Sequence, residues 1–292
     1  MIRRDLHEQN RLAWNEATRV HNGHKRDQAE FLRSGGSTLF PEELELLGDI
    51  HGQSLVHLQC NAGQDTLSLA LLGAQVTGID ISDEAISFAQ QLSADSGISG
   101  TFERADVYDW LAQAAGQKLA FDLAYCSYGA LCWLSNIDTW AQGIARILKP
   151  MGRLVCVEFH PLLMMFEDDW SFKYPYFGSG QPYSWPEGIG DYVAEAGAAL
   201  APSGYLSGVE HFANPHPSHE FQWTMGDIVS ALLGAGLGLV TLKEYPYSNG
   251  CRLLQRMREI PGRRMIPPED IPSMPLMFGL VAEKVSADSV RQ

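Results

Sequence analysis

The chain has 292 residues, 45% of them hydrophobic, enough for one large domain or for one domain with a sizeable insertion. Its net charge of −14 argues against a nucleic-acid partner, because phosphate contact needs clustered Lys and Arg. No apolar run has the length of a membrane span, and the start (MIRRDLHEQN) lacks the apolar segment of a signal peptide, so no membrane partner is expected.

The five cysteines are scattered and form no CxxC, which gives neither a disulfide framework nor a zinc site and makes a reducing cytoplasm the expected compartment.

In chain order, residues 5–33 carry apolar positions at helical spacing (Leu6, Leu12, Ala13, Ala17, Val20), with a break near Asn22-Gly23. PEELELLGDIHG reads as a short helix closed by Gly48. The first strand is Leu55 to Leu58, whose short aliphatic run suits a strand covered on both faces. A helix from Asp65 to Leu72 precedes Gly73, and QVTGID is the second strand. SDEAISFAQQLSADSG is a helix with Ser82 as N-cap and Gly97 at its end.

GTFERAD is the third strand and FDLAYCS the fourth. A helix over 138–148 and a KPMG turn lead into the fifth, RLVCVEF. Strands alternating with helices imply a parallel, doubly wound α/β sheet.

That alternation stops after the fifth strand. Nearly half of the aromatic residues fall between Phe166 and Trp223. Regular structure resumes with TMGDIVSALLGAGL, a helix capped by Thr224 with Asp227 three residues on. LVTLKEYPY is a sixth strand, and PLMFGLVAEK a last one after a Pro-rich loop. The expected organisation is a helical cap or lid over 1–50, a core over 51–160, an aromatic insertion over 161–222, the remainder of the core over 223–284 and a tail over 285–292.

In an open parallel sheet, ligands bind beyond the carboxyl ends of the strands, where the winding direction switches. QCNAGQD lies there, and Gly63 can adopt backbone angles that turn loop N–H groups toward a ligand. Asp80, ending the second strand, is placed to accept both hydroxyls of a ribose. Asp106, read as ending the third strand, suits an adenine amine. The loop lacks G-x-G-x-x-G, which weakens a nicotinamide-dependent oxidoreductase as a reading, since pyrophosphate needs close backbone approach. A ligand-binding protein without turnover is the other rival.

These residues resemble the class I S-adenosylmethionine-dependent methyltransferases. VHLQCNAGQD corresponds to the glycine-rich first motif, GIDIS to the ribose motif, ADVYD to the adenine motif, FDLAYCSYGAL to the fourth-strand motif and LKPMGRLVCVEF to the turn and fifth strand. His57 stands where the family has an acid, and Gln59 and Asn61 where it has glycines. The resemblance implies a Rossmann-like, seven-stranded sheet with an antiparallel last strand, and S-adenosylmethionine as cofactor. It would place Gln59, Cys60, Asn61 and Gly63 at the methionine part, and Asp80 and Ile81 at the ribose and adenine. Asp106 and Val107 would meet the adenine edge, and Cys126 and Ser127 would lie beneath the sulfonium.

Methyl transfer asks the protein mainly for alignment, with a general base where the nucleophile carries a proton. His160, just past the fifth strand in EFHP, is the first candidate for that base; its alternative role is to fix the loop before Pro161. Tyr128, just past the fourth strand, is the second catalytic candidate. Trp14 and His21 on the N-terminal helix, with Tyr174, Tyr176 and Trp223 from the aromatic block, are expected to bind a small-molecule acceptor. His211, His216 and His219 lack the companion carboxylate or cysteine spacing of a metal site, so no metal is expected.

Overall fold

The computed structural model describes residues 1–178, 180–209 and 211–285, so nearly all of the expected tail lies outside the described residues. The chain opens with three helices, α1 (Arg4–Gly23), α2 (Gln28–Arg33) and α3 (Pro41–Leu47). The core follows as β1 (Ser54–Leu58), α4 (Gln64–Leu71), β2 (Gln75–Asp80), α5 (Asp83–Ser96), β3 (Thr101–Arg104), α6 (Val107–Gly116), β4 (Phe121–Ser127), α7 (Ile137–Ile147) and β5 (Leu148–Phe159). The insertion holds β6 (Pro182–Trp185), α8 (Tyr192–Ala196) and β7 (Ser218–Phe221). The chain then runs through α9 (Met225–Gly234), β8 (Leu237–Tyr245), β9 (Ser248–Asn249), β10 (Arg258–Ile260), β11 (Arg264–Ile266) and β12 (Met277–Lys284).

Seven strands form one sheet in the order β3-β2-β1-β4-β5-β12-β8. β1 to β5 pair in parallel, while β12 runs antiparallel to both β5 and β8. This is the expected doubly wound architecture, and its winding reverses between β1 and β4. One sheet face packs under α6, α7 and α9, the other under α3 and α4. β1 and β4 are buried almost throughout, as strands covered on both faces must be.

Three local expectations are corrected. Asp106 does not end β3; it caps α6, its carboxylate accepting the Tyr108 N–H at 2.9 Å, and α6 itself was not expected. The KPMG stretch is the start of β5 rather than a separate turn, with a register shift against β4 after Phe121. The Pro-rich loop before β12 contains a small three-stranded sheet, β10-β11-β9.

α1 carries Glu8–Arg11 and Glu16–Arg19 pairs on its outer face and buries Leu6, Ala13 and Ala17. Polar groups on the same inner face find partners in the insertion. Asn10 exchanges two hydrogen bonds with the His219 backbone, at 2.8 and 2.7 Å, so α1 and β7 meet over the carboxyl ends of the strands.

Candidate functional site

The loop between β1 and α4 has three residues in the left-handed region, at alternate positions: Gln59 (φ 57°), Asn61 (φ 48°) and Gly63 (φ 78°). Two of them occupy the places of the missing glycines, so the unusual backbone shape is kept without them. Side-chain bonds offset the cost of that conformation for a residue with a Cβ. Gln59 donates to the Ala130 carbonyl at 2.7 Å, and Asn61 accepts from the Ala62 N–H at 2.7 Å. Gly63 is required for another reason as well: a Cβ there would sit 2.6 Å from the Ala89 Cβ and 2.9 Å from the Phe102 ring. Gly63 thus faces α5 behind the loop and lies outside the cavity lining, a correction to its expected place beside the cofactor.

His57, at the position of the family's acid, points to the helix start and hydrogen-bonds Thr66 at 2.8 Å. Burial pushes its pKa down to about 3, so a neutral ring bridges strand and helix.

The loop faces a cavity of about 750 Å³ between the strand ends, α1 and the insertion. Gln59, Cys60, Asn61, Asp80, Ile81 and Ser127 are in its wall, as are Asp106 and Val107. Cys126 is not; its side chain is packed in the core on the α6–α7 side. Asp80 accepts from the Asn61 and Ser82 N–H groups, each at 2.8 Å, and burial raises its pKa to about 6.

Asp106 is also in the wall, but its carboxylate is already engaged. Besides capping α6, it meets Nδ1 of His7 at 2.7 Å, and this contact holds its pKa below the ordinary carboxylate range despite burial. His7 stacks on Tyr108, ring centroids 5.5 Å apart.

Of the two catalytic candidates, His160 has no free lone pair. Its Nδ1 accepts the Leu162 N–H at 3.1 Å, and its Nε2 is 2.9 Å from a Glu244 oxygen to which it donates. The ring fixes the turn before Pro161 and cannot take a proton while so bonded, which corrects its assignment as general base. Tyr128 lies in the wall with φ 40°; its hydroxyl donates to Glu43 at 2.9 Å and accepts from Asn249 at 3.0 Å. Glu158 has no catalytic freedom either, because its carboxylate accepts the N–H groups of Gly129, Ala130, Leu131 and Phe159.

Trp14, His21, Tyr174 and Trp223 all line the cavity. Tyr176 does not: its hydroxyl accepts the Met225 N–H at 3.1 Å and serves the start of α9. The unforeseen wall residues include His7, Asn10, Lys25, Gln222, Asn249 and Arg263. They reach the site from segments outside the strand-end motifs, so no local spacing marks them.

The wall is prepared for a polar ligand. His7 Nε2, His21 Nδ1, Gln59 Oε1, Asn249 Oδ1 and both amide atoms of Gln222 are buried without a hydrogen-bond partner among the described residues, and all belong to residues lining this cavity. Buried polar atoms normally find partners, so such a concentration points to a ligand that supplies them. Among the described residues no cluster of His, Cys, Asp and Glu has the arrangement of a metal site.

Residues 56–152 match the family described as a methyltransferase domain. The ubiquinone biosynthesis O-methyltransferase of Xanthomonas axonopodis pv. citri is 32% identical over 103 residues, covering 35% of this chain and 41% of that protein. The sterol 4-C-methyltransferase of Caenorhabditis elegans is 29% identical over 119 residues, 39% of this chain and 32% of that one. The chain thus spans less than half the length of these curated relatives.

Among solved structures, a putative S-adenosylmethionine dependent methyltransferase from Listeria monocytogenes aligns with a TM-score of 0.55 at 18% identity, over 84% of this chain and 97% of that one. An S-adenosylmethionine dependent methyltransferase from Mesorhizobium loti aligns at 0.54 and 20% identity, over 85% and 99%. Residues 56–152 are thus similar to a methyltransferase domain, and the fold around them is the one shared with these two solved structures.

Proposed function

We propose that the protein is an S-adenosylmethionine-dependent methyltransferase that moves a methyl group to oxygen or nitrogen of a small molecule in the cytoplasm. The observation that carries this reading is the β1–α4 loop at the sheet's switch point, left-handed at 59, 61 and 63 and hydrogen-bonded to Asp80 through the Asn61 N–H at 2.8 Å. A loop of that shape with Gln and Asn side chains fits a cofactor without phosphate better than a dinucleotide. Support for a small acceptor comes from the named activities of the relatives, O-methylation in ubiquinone biosynthesis and C-methylation of a sterol. A net charge of −14 speaks against nucleic acid as the acceptor, and no described helix is long and apolar enough to cross a membrane.

In this reading Asp80 holds the ribose hydroxyls, Ile81 and Val107 flank the adenine, and Gln59, Cys60, Asn61 and Ser127 surround the methionine end. The bound cofactor supplies a methyl group activated by its positive sulfur. The protein's own part is to exclude water under α1 and the insertion, and to hold the acceptor in line. Residues 1–50 act as the cap, 51–160 and 223–284 as the cofactor-binding core, and 161–222 as the acceptor pocket. The test is calorimetric titration with S-adenosylhomocysteine. Binding by the wild type and an affinity reduced about tenfold or more in Asp80→Ala are expected; no binding by the wild type defeats the reading.

A further inference from the structure

The acceptor side of the cavity contains a carboxylate without a counter-charge among the described residues. β6 and β7 pair antiparallel, with Tyr183 opposite Glu220 and Trp185 opposite Ser218. Side chains alternate along a strand, so Tyr183, Trp185, Ser218 and Glu220 share one face of this hairpin, and all four line the cavity. Tyr174 packs edge-on against both rings, with centroids 5.5 Å from Tyr183 and 5.8 Å from Trp185.

The Glu220 carboxylate accepts one hydrogen bond, from the Trp185 indole N–H at 3.0 Å, and among the described residues no Lys, Arg or His pairs with it. The neighbouring Lys173 is taken by Glu167. Two of the cavity's cations, Lys25 and Arg263, lie near Asp65 instead. Burial pushes Glu220 above the ordinary carboxylate range, as expected for an acid enclosed without a cation. Two residues along the chain, Gln222 is 1% exposed and lines the same cavity, both its amide atoms without a partner among the described residues.

An anionic oxygen among three aromatic rings has the chemistry that recognises an organic cation. Aromatic faces attract a cation, a carboxylate adds opposite charge, and a low-dielectric wall strengthens both. Gln222 adds a donor and an acceptor for a polar substituent of the same ligand. Resting on the methyltransferase reading, we propose that Glu220 with Tyr174, Tyr183 and Trp185 forms the acceptor subsite, and that the acceptor carries a cationic amine. The subsite concerns recognition of the ammonium group and leaves open which atom of the acceptor is methylated.

The test uses the full chain saturated with S-adenosylhomocysteine, titrated with 2-phenylethylamine and, in parallel, with its neutral analogue 2-phenylethanol. Phenylethylamine is expected to bind at least about tenfold more tightly, and Glu220→Gln to abolish that preference. S-adenosylhomocysteine affinity serves as the integrity control, since Glu220 is remote from the cofactor loop in the chain and carries no bond to it. If Glu220→Gln fails to fold, Tyr183→Leu removes one wall of the cage and carries the same expectation. Equal binding of amine and alcohol by the wild type, including no binding of either, overturns the proposal, as does an undiminished preference in the variant. Failure of S-adenosylhomocysteine itself to bind would instead sink the methyltransferase reading.

Discussion

Nδ1 of His7 lies 2.7 Å from the Asp106 carboxylate, joining the first turn of α1 to the start of α6 across 99 residues of sequence. The pair is a fastening between cap and core, and others reinforce it: Asn15 accepts from the Ser82 hydroxyl at 2.7 Å, and Arg19 reaches Glu84 at 2.9 Å. Replacing His7 with Phe keeps a ring against Tyr108 but leaves Asp106 without this partner. The expected cost at neutral pH is about 2 kcal/mol of unfolding free energy, measured by urea denaturation. Asp106 has a lowered folded pKa, so its contribution is present above the ordinary carboxylate value and is lost as pH falls through the folded one. The wild-type advantage over His7→Phe must therefore persist at pH 5 and shrink only in stronger acid.

Asp80 behaves in the opposite sense. Burial raises its folded pKa to about 6, so the stability linked to it is present below the ordinary value of 3.8 and is lost as pH rises through about 6. A ribose diol needs the ionised form, whose lone pairs accept both hydroxyl protons. S-adenosylhomocysteine affinity should accordingly increase as pH rises from 5 to 7 and then level off, while the apo protein loses some stability over the same interval. Calorimetric titrations at half-unit steps check this; a flat affinity profile would exclude Asp80 as the ribose partner.

The loop residues separate backbone shape from packing. Gly63→Ala places a methyl group against Ala89 and Phe102 in a left-handed conformation, and should destabilise by about 3 kcal/mol or prevent folding. Asn61→Gly exchanges one local hydrogen bond for relief of a positive φ, and should change stability by less than about 1 kcal/mol. Urea midpoints of the two variants would decide the contrast.

That contrast also explains what could be read from the chain alone. Gln59 and Asn61 look like losses from a glycine motif, yet both keep the left-handed backbone that glycine favours. The angles survive, held by the bonds to Ala130 and Ala62, of which the first joins segments 71 residues apart. Elements with strong local signals were legible: Ser82 and Thr224 cap their helices as expected, and Gly97 ends α5. α6 was hidden because its capping Asp106 lies only two positions past the end of β3, and β9 to β11 are too short for an alternating pattern to register. His7 and Asn249 enter the site through long-range contacts that no spacing announces. Tyr176 shows the converse error, since aromatic density does not say which ring faces the cavity.

Glu43 provides the last test, at the wall behind Tyr128. It is fully buried at the start of α3, and its carboxylate accepts from the Phe40 N–H at 2.6 Å and from the hydroxyls of Tyr125 and Tyr128. Burial, with the Asp65 charge second, outweighs these donors and raises its pKa to about 8. A folded value above the ordinary 4.5 means that the stability tied to Glu43 is intact below 4.5 and is lost as pH rises through about 8. The melting temperature of the wild type should therefore fall between pH 7 and 9, a range above the titration of Asp80. Glu43→Gln is neutral throughout, so its melting temperature should hold level between pH 7 and 9 where that of the wild type falls. Parallel thermal melts settle the matter: equal slopes for the two proteins would mean that Glu43 is already ionised at neutrality, and that the three donors outweigh burial.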